Sequence, residues 1–177
     1  MAAGGAGGGG GGSDLKPENI LLGADGHVVL TDYGLAKADV RDHDAARTVC
    51  GTNEYMAPEM LLRKGYGPAV DWWALGALVV EMLTGHPPFR ARDPAKLYAK
   101  ILNDKVALPS WLTSECAAFA RGLLDRNVET RLGSGKSTMF AARGTAAVKA
   151  HPWMKVRGQR GRACSAALRM HPRRRTC

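Results

Sequence analysis

Residues 71–84 read DWWALGALVVEMLT. The segment is opened by Gly67-Pro68 and predicts a helix that runs to Thr84. Its apolar side chains, at 72, 73, 75, 78, 79, 80, 82 and 83, surround most of the circumference. A helix apolar on nearly every side is a buried one, because no face is left to meet water. Gly85 and Pro87-Pro88 stop it. Asp93-Pro94 then caps a helix over about 94–104, with Pro at the first helical position. Thr113 starts another, with Ala117, Ala120, Leu123 and Leu124 on one face, and Pro152 marks a last short one. Upstream, Ile20-Leu21-Leu22, a turn at Ala24-Asp25-Gly26 and then His27 to Thr31 read as a short β-hairpin. Residues 35–56 are polar and aperiodic and read as a long loop, a type usually tied to function. The expected fold is mainly α with one small β-hairpin.

The chain's 177 residues suffice for one domain of ordinary size. A net charge of +9 suggests nucleic acid or an acidic membrane, but its distribution argues against both. Residues 157–177 hold seven arginines and no acid, so the excess belongs to a tail and not to a folded face. Residues 1–13 carry eight glycines and cannot bury a core. The expected organisation is a Gly-rich leader (1–13), a folded body (14–156) and a basic tail (157–177). The four cysteines lack CxxC spacing, so neither a zinc site nor a disulfide framework is indicated. A reducing compartment, cytoplasm or nucleus, is the expectation.

Phosphoryl transfer needs a group that orients the attacking hydroxyl, cations on the phosphates, and oxygen ligands for Mg²⁺. Asp14, Lys16 and Asn19 are packed into six residues, and Asp32 follows the hairpin. A hairpin between Asn19 and Asp32 would fold the second oxygen ligand back beside the first. Each residue alone is an ordinary surface charge; the spacing of the four gives the signal.

These residues resemble protein-kinase motifs. Asp14-Leu15-Lys16-Pro17-Glu18-Asn19 resembles the catalytic loop, Asp32-Tyr33-Gly34 the metal-binding DFG triplet, and Ala57-Pro58-Glu59 the APE that closes the activation segment. Thr48 to Glu59 and Val70 to Gly76 narrow the likeness to AGC-group Ser/Thr kinases; LTDYGLAK and EYMAPEM resemble the ribosomal-protein kinase branch. The match covers about 14–155. It implies the later part of a kinase C-terminal lobe, with ATP and Mg²⁺ as cofactors. Asp14 would be the catalytic base and Lys16 would neutralise the moving γ-phosphate. Asn19 and Asp32 would bind Mg²⁺, and Thr52 would hydrogen-bond near Asp14 and Lys16. Thr48 matches the activation-loop phosphosite, a target of a phosphoinositide-dependent kinase. Glu18 and Glu81 match acids that read basic residues upstream of the phosphoacceptor Ser or Thr in protein substrates. Asp71 would hold the catalytic-loop backbone, and Glu59 with Arg131 would form a buried ion pair.

Gly133-Ser134-Gly135-Lys136-Ser137-Thr138 imitates a phosphate loop. Such a loop needs Gly where Thr130 stands, and a preceding strand, so the segment reads as a plain loop. Ahead of Asp14 there is no GxGxxG loop, no VAIK-type lysine and no partner glutamate, which supply the nucleotide roof, so the N-terminal lobe is absent from this sequence. Gly12-Ser13 replaces the His/Tyr-Arg pair of the family, and with it the arginine that meets the activation-loop phosphate. The helix that packs on residues 72–83 is missing too. That predicts several large side chains left in water, at about 1.5–3 kcal/mol each, and an aggregation-prone chain. The loss of resemblance at both edges suggests a truncated isoform or an imperfect gene model. Two functions follow: an ATP-dependent Ser/Thr kinase by family, or a catalytically silent lobe fragment that acts as a binding or regulatory module.

Overall fold

A computed structural model of the chain describes residues 15–31, 53–63, 65–134 and 144–157. Its elements are strands β1 (Ile20–Leu22) and β2 (Val28–Leu30) and helices α1 (Pro58–Leu61), α2 (Ala69–Thr84), α3 (Pro94–Asn103), α4 (Ser114–Leu123), α5 (Thr145–Ala150) and α6 (Pro152–Arg157). Single 3₁₀ turns lie at Pro17–Asn19 and Asn53–Tyr55. The fold is mainly helical with one two-stranded antiparallel sheet, which is the class the periodicities predict.

The helix boundaries follow from local chemistry. Gly85 takes the left-handed conformation (φ 82°) that ends α2, and its N–H closes on the Glu81 carbonyl. The Asp93 carboxylate accepts the Lys96 N–H at 2.9 Å, and Pro94 supplies the first helical residue of α3. The Thr113 hydroxyl does the same for α4 through Cys116 N–H.

Helix α2 is the spine. Trp73, Ala77 and Val80 face one apolar cluster, which also holds Tyr66, Phe89, Leu97, Ile101 and Leu124. Val79 faces a second cluster, with Phe119, Leu123 and Val148. The expected lack of cover holds only in part: Trp73, Leu78, Val79 and Val80 are buried, Trp72, Leu75 and Leu83 are half-buried, and Met82 is exposed. Packing of α2 on α4 and on the loop after it supplies the cover that is present. The buried face of α4 holds the expected Ala120 and Leu123, with Leu124 just after the helix, and adds Cys116 and Phe119, while Ala117 is half-buried. Helix α5, unanticipated from sequence, contributes Val148 to the second cluster.

Gly76 sits where α2 meets α4. A Cβ there would lie 2.8 Å from Leu123 Cβ and 2.9 Å from Leu124 Cγ. Alanine would contribute up to ~1 kcal/mol of helix propensity, while overpacking costs about 1–3 kcal/mol. Gly76→Ala should therefore lower the denaturant midpoint, by about 1–2 kcal/mol net in stability; an unchanged or raised midpoint would show that the helices can part at no cost.

Candidate active site

The segment that resembles a catalytic loop begins in extended backbone at Lys16 and turns through Pro17–Asn19. Proline at the first position suits such a turn, because its φ is already set and it lacks an N–H to satisfy. Asn19 is buried, its N–H bonds to the Lys16 carbonyl at 3.0 Å, and its own carbonyl receives the Thr31 N–H at 2.8 Å. That last bond extends the hairpin ladder, in which Ile20 pairs with Leu30, Leu21 with Val29 and Leu22 with Val28. The turn is held by Gly26 N–H on the Gly23 carbonyl and by His27 N–H on Asp25 Oδ1. This donated hydrogen bond lowers the Asp25 carboxyl below its usual range.

Asn19 is thus clamped on both sides, and its amide oxygen is the hard, neutral donor that Mg²⁺ accepts. The Lys16 ammonium, three residues earlier, is the type of group that meets a phosphate. The donor chemistry fits Mg-ATP as far as it reaches. Asp14, Asp32, Thr48 and Thr52 lie outside the described residues. Among the described residues no group of three or more His, Cys, Asp or Glu side chains could hold a metal.

One phenol holds an acid and feels the charge of two more. The half-buried Tyr55, in the 3₁₀ turn Asn53–Tyr55, donates its hydroxyl to Glu81 Oε2 on α2. Burial, the bond to Glu81 and the charges of Glu81, Glu18 and Glu54 push its ionisation far above the ordinary phenol range. Sequence reasoning singled out Glu18 and Glu81. Nothing in the sequence pattern marks Tyr55 and Glu54, although both stand in EYMAPEM. Tyr55 fixes the Glu81 carboxylate, while Glu18 is exposed and available to a ligand.

Below the acids lies the anchor. Arg131 Nη1 and Nη2 donate to Glu59 Oε1 and Oε2 at 2.6 and 2.9 Å, a bidentate pair with the guanidinium fully buried. The same guanidinium donates to the Ala69 carbonyl at 2.9 Å and, through Nε, to the Asp125 carbonyl at 2.8 Å. It also lies 5.2 Å from the Trp73 ring centroid. One side chain therefore ties α1, the first turn of α2 and the loop after α4. Asp71 stands half-buried in that first turn of α2. In the phosphate-loop imitation, Gly133 packs flat on Trp72, where any Cβ would sit 2.4 Å from the ring. This glycine serves packing.

The described part of the site is thus a clamped asparagine after a lysine turn, the Tyr55–Glu81 contact and a buried Glu–Arg anchor. The description "Protein kinase domain" matches residues 13–154, and the chain belongs to the protein kinase family. Within it the chain groups with the AGC Ser/Thr kinases of the ribosomal-protein branch. It is 51% identical over 81% of its length to "Ribosomal protein S6 kinase beta" of Caenorhabditis elegans. It is 49% identical over 81% to "Serine/threonine-protein kinase AtPK2/AtPK19" of Arabidopsis thaliana, and 47% over 80% to "Protein kinase 2" of Dictyostelium discoideum. The chain spans between 26% and 29% of the length of these relatives.

Proposed function

We propose that the chain supplies the catalytic-loop and substrate-facing part of an ATP- and Mg²⁺-dependent Ser/Thr protein kinase that prefers basic residues upstream of the phosphoacceptor. The observation that carries this reading is Tyr55 holding the Glu81 carboxylate, with the charges of Glu18 and Glu54 acting on the same phenol. Clustered carboxylates held by a neutral donor favour a cationic peptide and disfavour an acidic one. Asp14 accepts the substrate hydroxyl proton, and Thr52 steadies Asp14 and Lys16. Asn19 and Asp32 would hold the metal, and Lys16 would offset the charge of the γ-phosphate. Bound Mg-ATP supplies the phosphoryl group and the cation charge that offsets it. Asp71 holds the loop backbone from α2, and Thr48 is the activation phosphosite, a target of a phosphoinositide-dependent kinase, although Gly12-Ser13 leaves its phosphate without the family's arginine. The place of action is the cytoplasm, with the nucleus as a second compartment. No helix among the described residues is long and apolar enough to cross a membrane.

The test is phosphate transfer to an Arg-rich Ser peptide. The 177-residue chain alone should transfer none and should show no rise in melting temperature with Mg-ATP, since residues 1–13 offer no lysine or phosphate-covering loop. Joined behind the nucleotide-binding lobe of an active kinase, it should transfer phosphate, and Asp14→Asn should remove the transfer. A folded chimera that binds Mg-ATP but stays inactive would leave the silent binding module as the reading.

A further inference from the structure

The surface of α3 carries an organised positive charge that phosphoryl transfer does not use. Leu97 and Ile101 bury one face of the helix. Tyr98 stands on one flank, where its hydroxyl reaches Asn53 Oδ1 at 3.3 Å, next to the turn that holds Tyr55. At 100° per residue, Lys96 and Lys100 fall on the opposite flank, one turn apart. Lys100 Nζ donates to the Arg90 carbonyl at 3.1 Å, which draws the segment before the helix against that flank. Arg90, Arg92, Lys96 and Lys100 are all exposed. Among the described residues no acidic side chain pairs with Arg90, Arg92 or Lys96. The nearest acid in sequence, Asp93, spends one carboxylate oxygen on the Lys96 backbone N–H.

We propose that this basic flank of α3, with Arg90 and Arg92, is a docking surface for an acidic polypeptide segment rich in Asp and Glu, set apart from the acid cluster that faces a basic peptide. The surroundings select this partner among polyanions. No exposed aromatic lies between Phe89 and Lys105, so successive bases have no ring to stack on. No large apolar side chain is exposed there either, so a bilayer has nothing to receive. Lys96 and Lys100 stand about 6 Å apart along the axis, and Arg90 is tied to Lys100 through its carbonyl. They match a short run of carboxylates. The contact is rim-like and exposed, so it acts through steering and partner choice and weakens with salt.

The probe is a fluorescein-labelled ten-residue Glu/Asp peptide, followed by anisotropy on the full 177-residue chain at low and physiological salt. Arg92→Glu combined with Lys96→Glu leaves every described side-chain bond in place and puts acids at the start of α3, where the helix favours them. The double variant should melt as the parent does and bind the peptide at least tenfold more weakly. Substituting the seven arginines of 157–177 with glutamine should change binding less than threefold. Unchanged affinity in the double variant, or loss of binding with the tail substitutions instead, would assign the attraction to the tail and overturn the proposal. A single-stranded oligonucleotide of equal charge that binds as tightly as the peptide would also overturn it.

Discussion

Arg131→Ala should be the most damaging substitution in the described structure, with a loss of about 3–5 kcal/mol. The guanidinium makes four hydrogen bonds, two to Glu59 and one each to the Ala69 and Asp125 carbonyls. Its removal strands a buried carboxylate and two carbonyls together. A domain's whole stability is about 5–15 kcal/mol, so the variant should melt about 10 °C lower or more, or fail to fold. The pair itself is a poor source of net stability, because desolvation offsets most of its Coulomb attraction. Hence the double replacement Glu59→Leu with Arg131→Met should recover most of the melting temperature, since no unpaired charge remains. A single variant that melts within about 3 °C of the parent would mean that water replaces the guanidinium at Glu59.

The two halves of this pair stand 72 positions apart in sequence. Periodicity cannot connect them; only the motif resemblance joined Glu59 to Arg131. The same division runs through the fold. Helix α2, the caps at Asp93 and Thr113 and the hairpin around Gly26 are written in local chemistry, and the structure places them within a residue or two of their expected bounds. The Tyr55 cluster is not local. Tyr55 and Glu81 become partners only because the 3₁₀ turn docks on α2, and a phenol in a polar loop carries no period that would mark it. Cover of α2 was illegible for a related reason: a helical wheel tells which faces need burial, not which element supplies it. Helix α5 has six residues and an N-cap at Gly144 without a capping side chain, so neither length nor cap chemistry announces it.

Phe119→Ala carries the second large expectation, about 3–5 kcal/mol. Phe119 is the side chain that joins the late helices to α2. Its ring lies 4.6 Å from the Trp153 ring and 5.1 Å edge-on from His151, and the cluster around it includes Val79, Leu123 and Val148. A cavity at that point removes the common partner of α2, α4, α5 and α6, while the other cluster, built on Trp73, Phe89 and Ile101, keeps its contacts. Short helices have little stability of their own, because nucleation is costly and six residues return few bonds. The loss should therefore be uneven. Amide exchange should accelerate first in Thr145–Ala150 and Pro152–Arg157 and remain slow in α3, whose C-terminus is held independently by Arg126 on the Ile101 carbonyl at 2.7 Å. Acceleration spread evenly over α3 and α5 would show that the two clusters unfold as one unit, and a loss below about 1 kcal/mol would show that Trp153 and His151 refill the site.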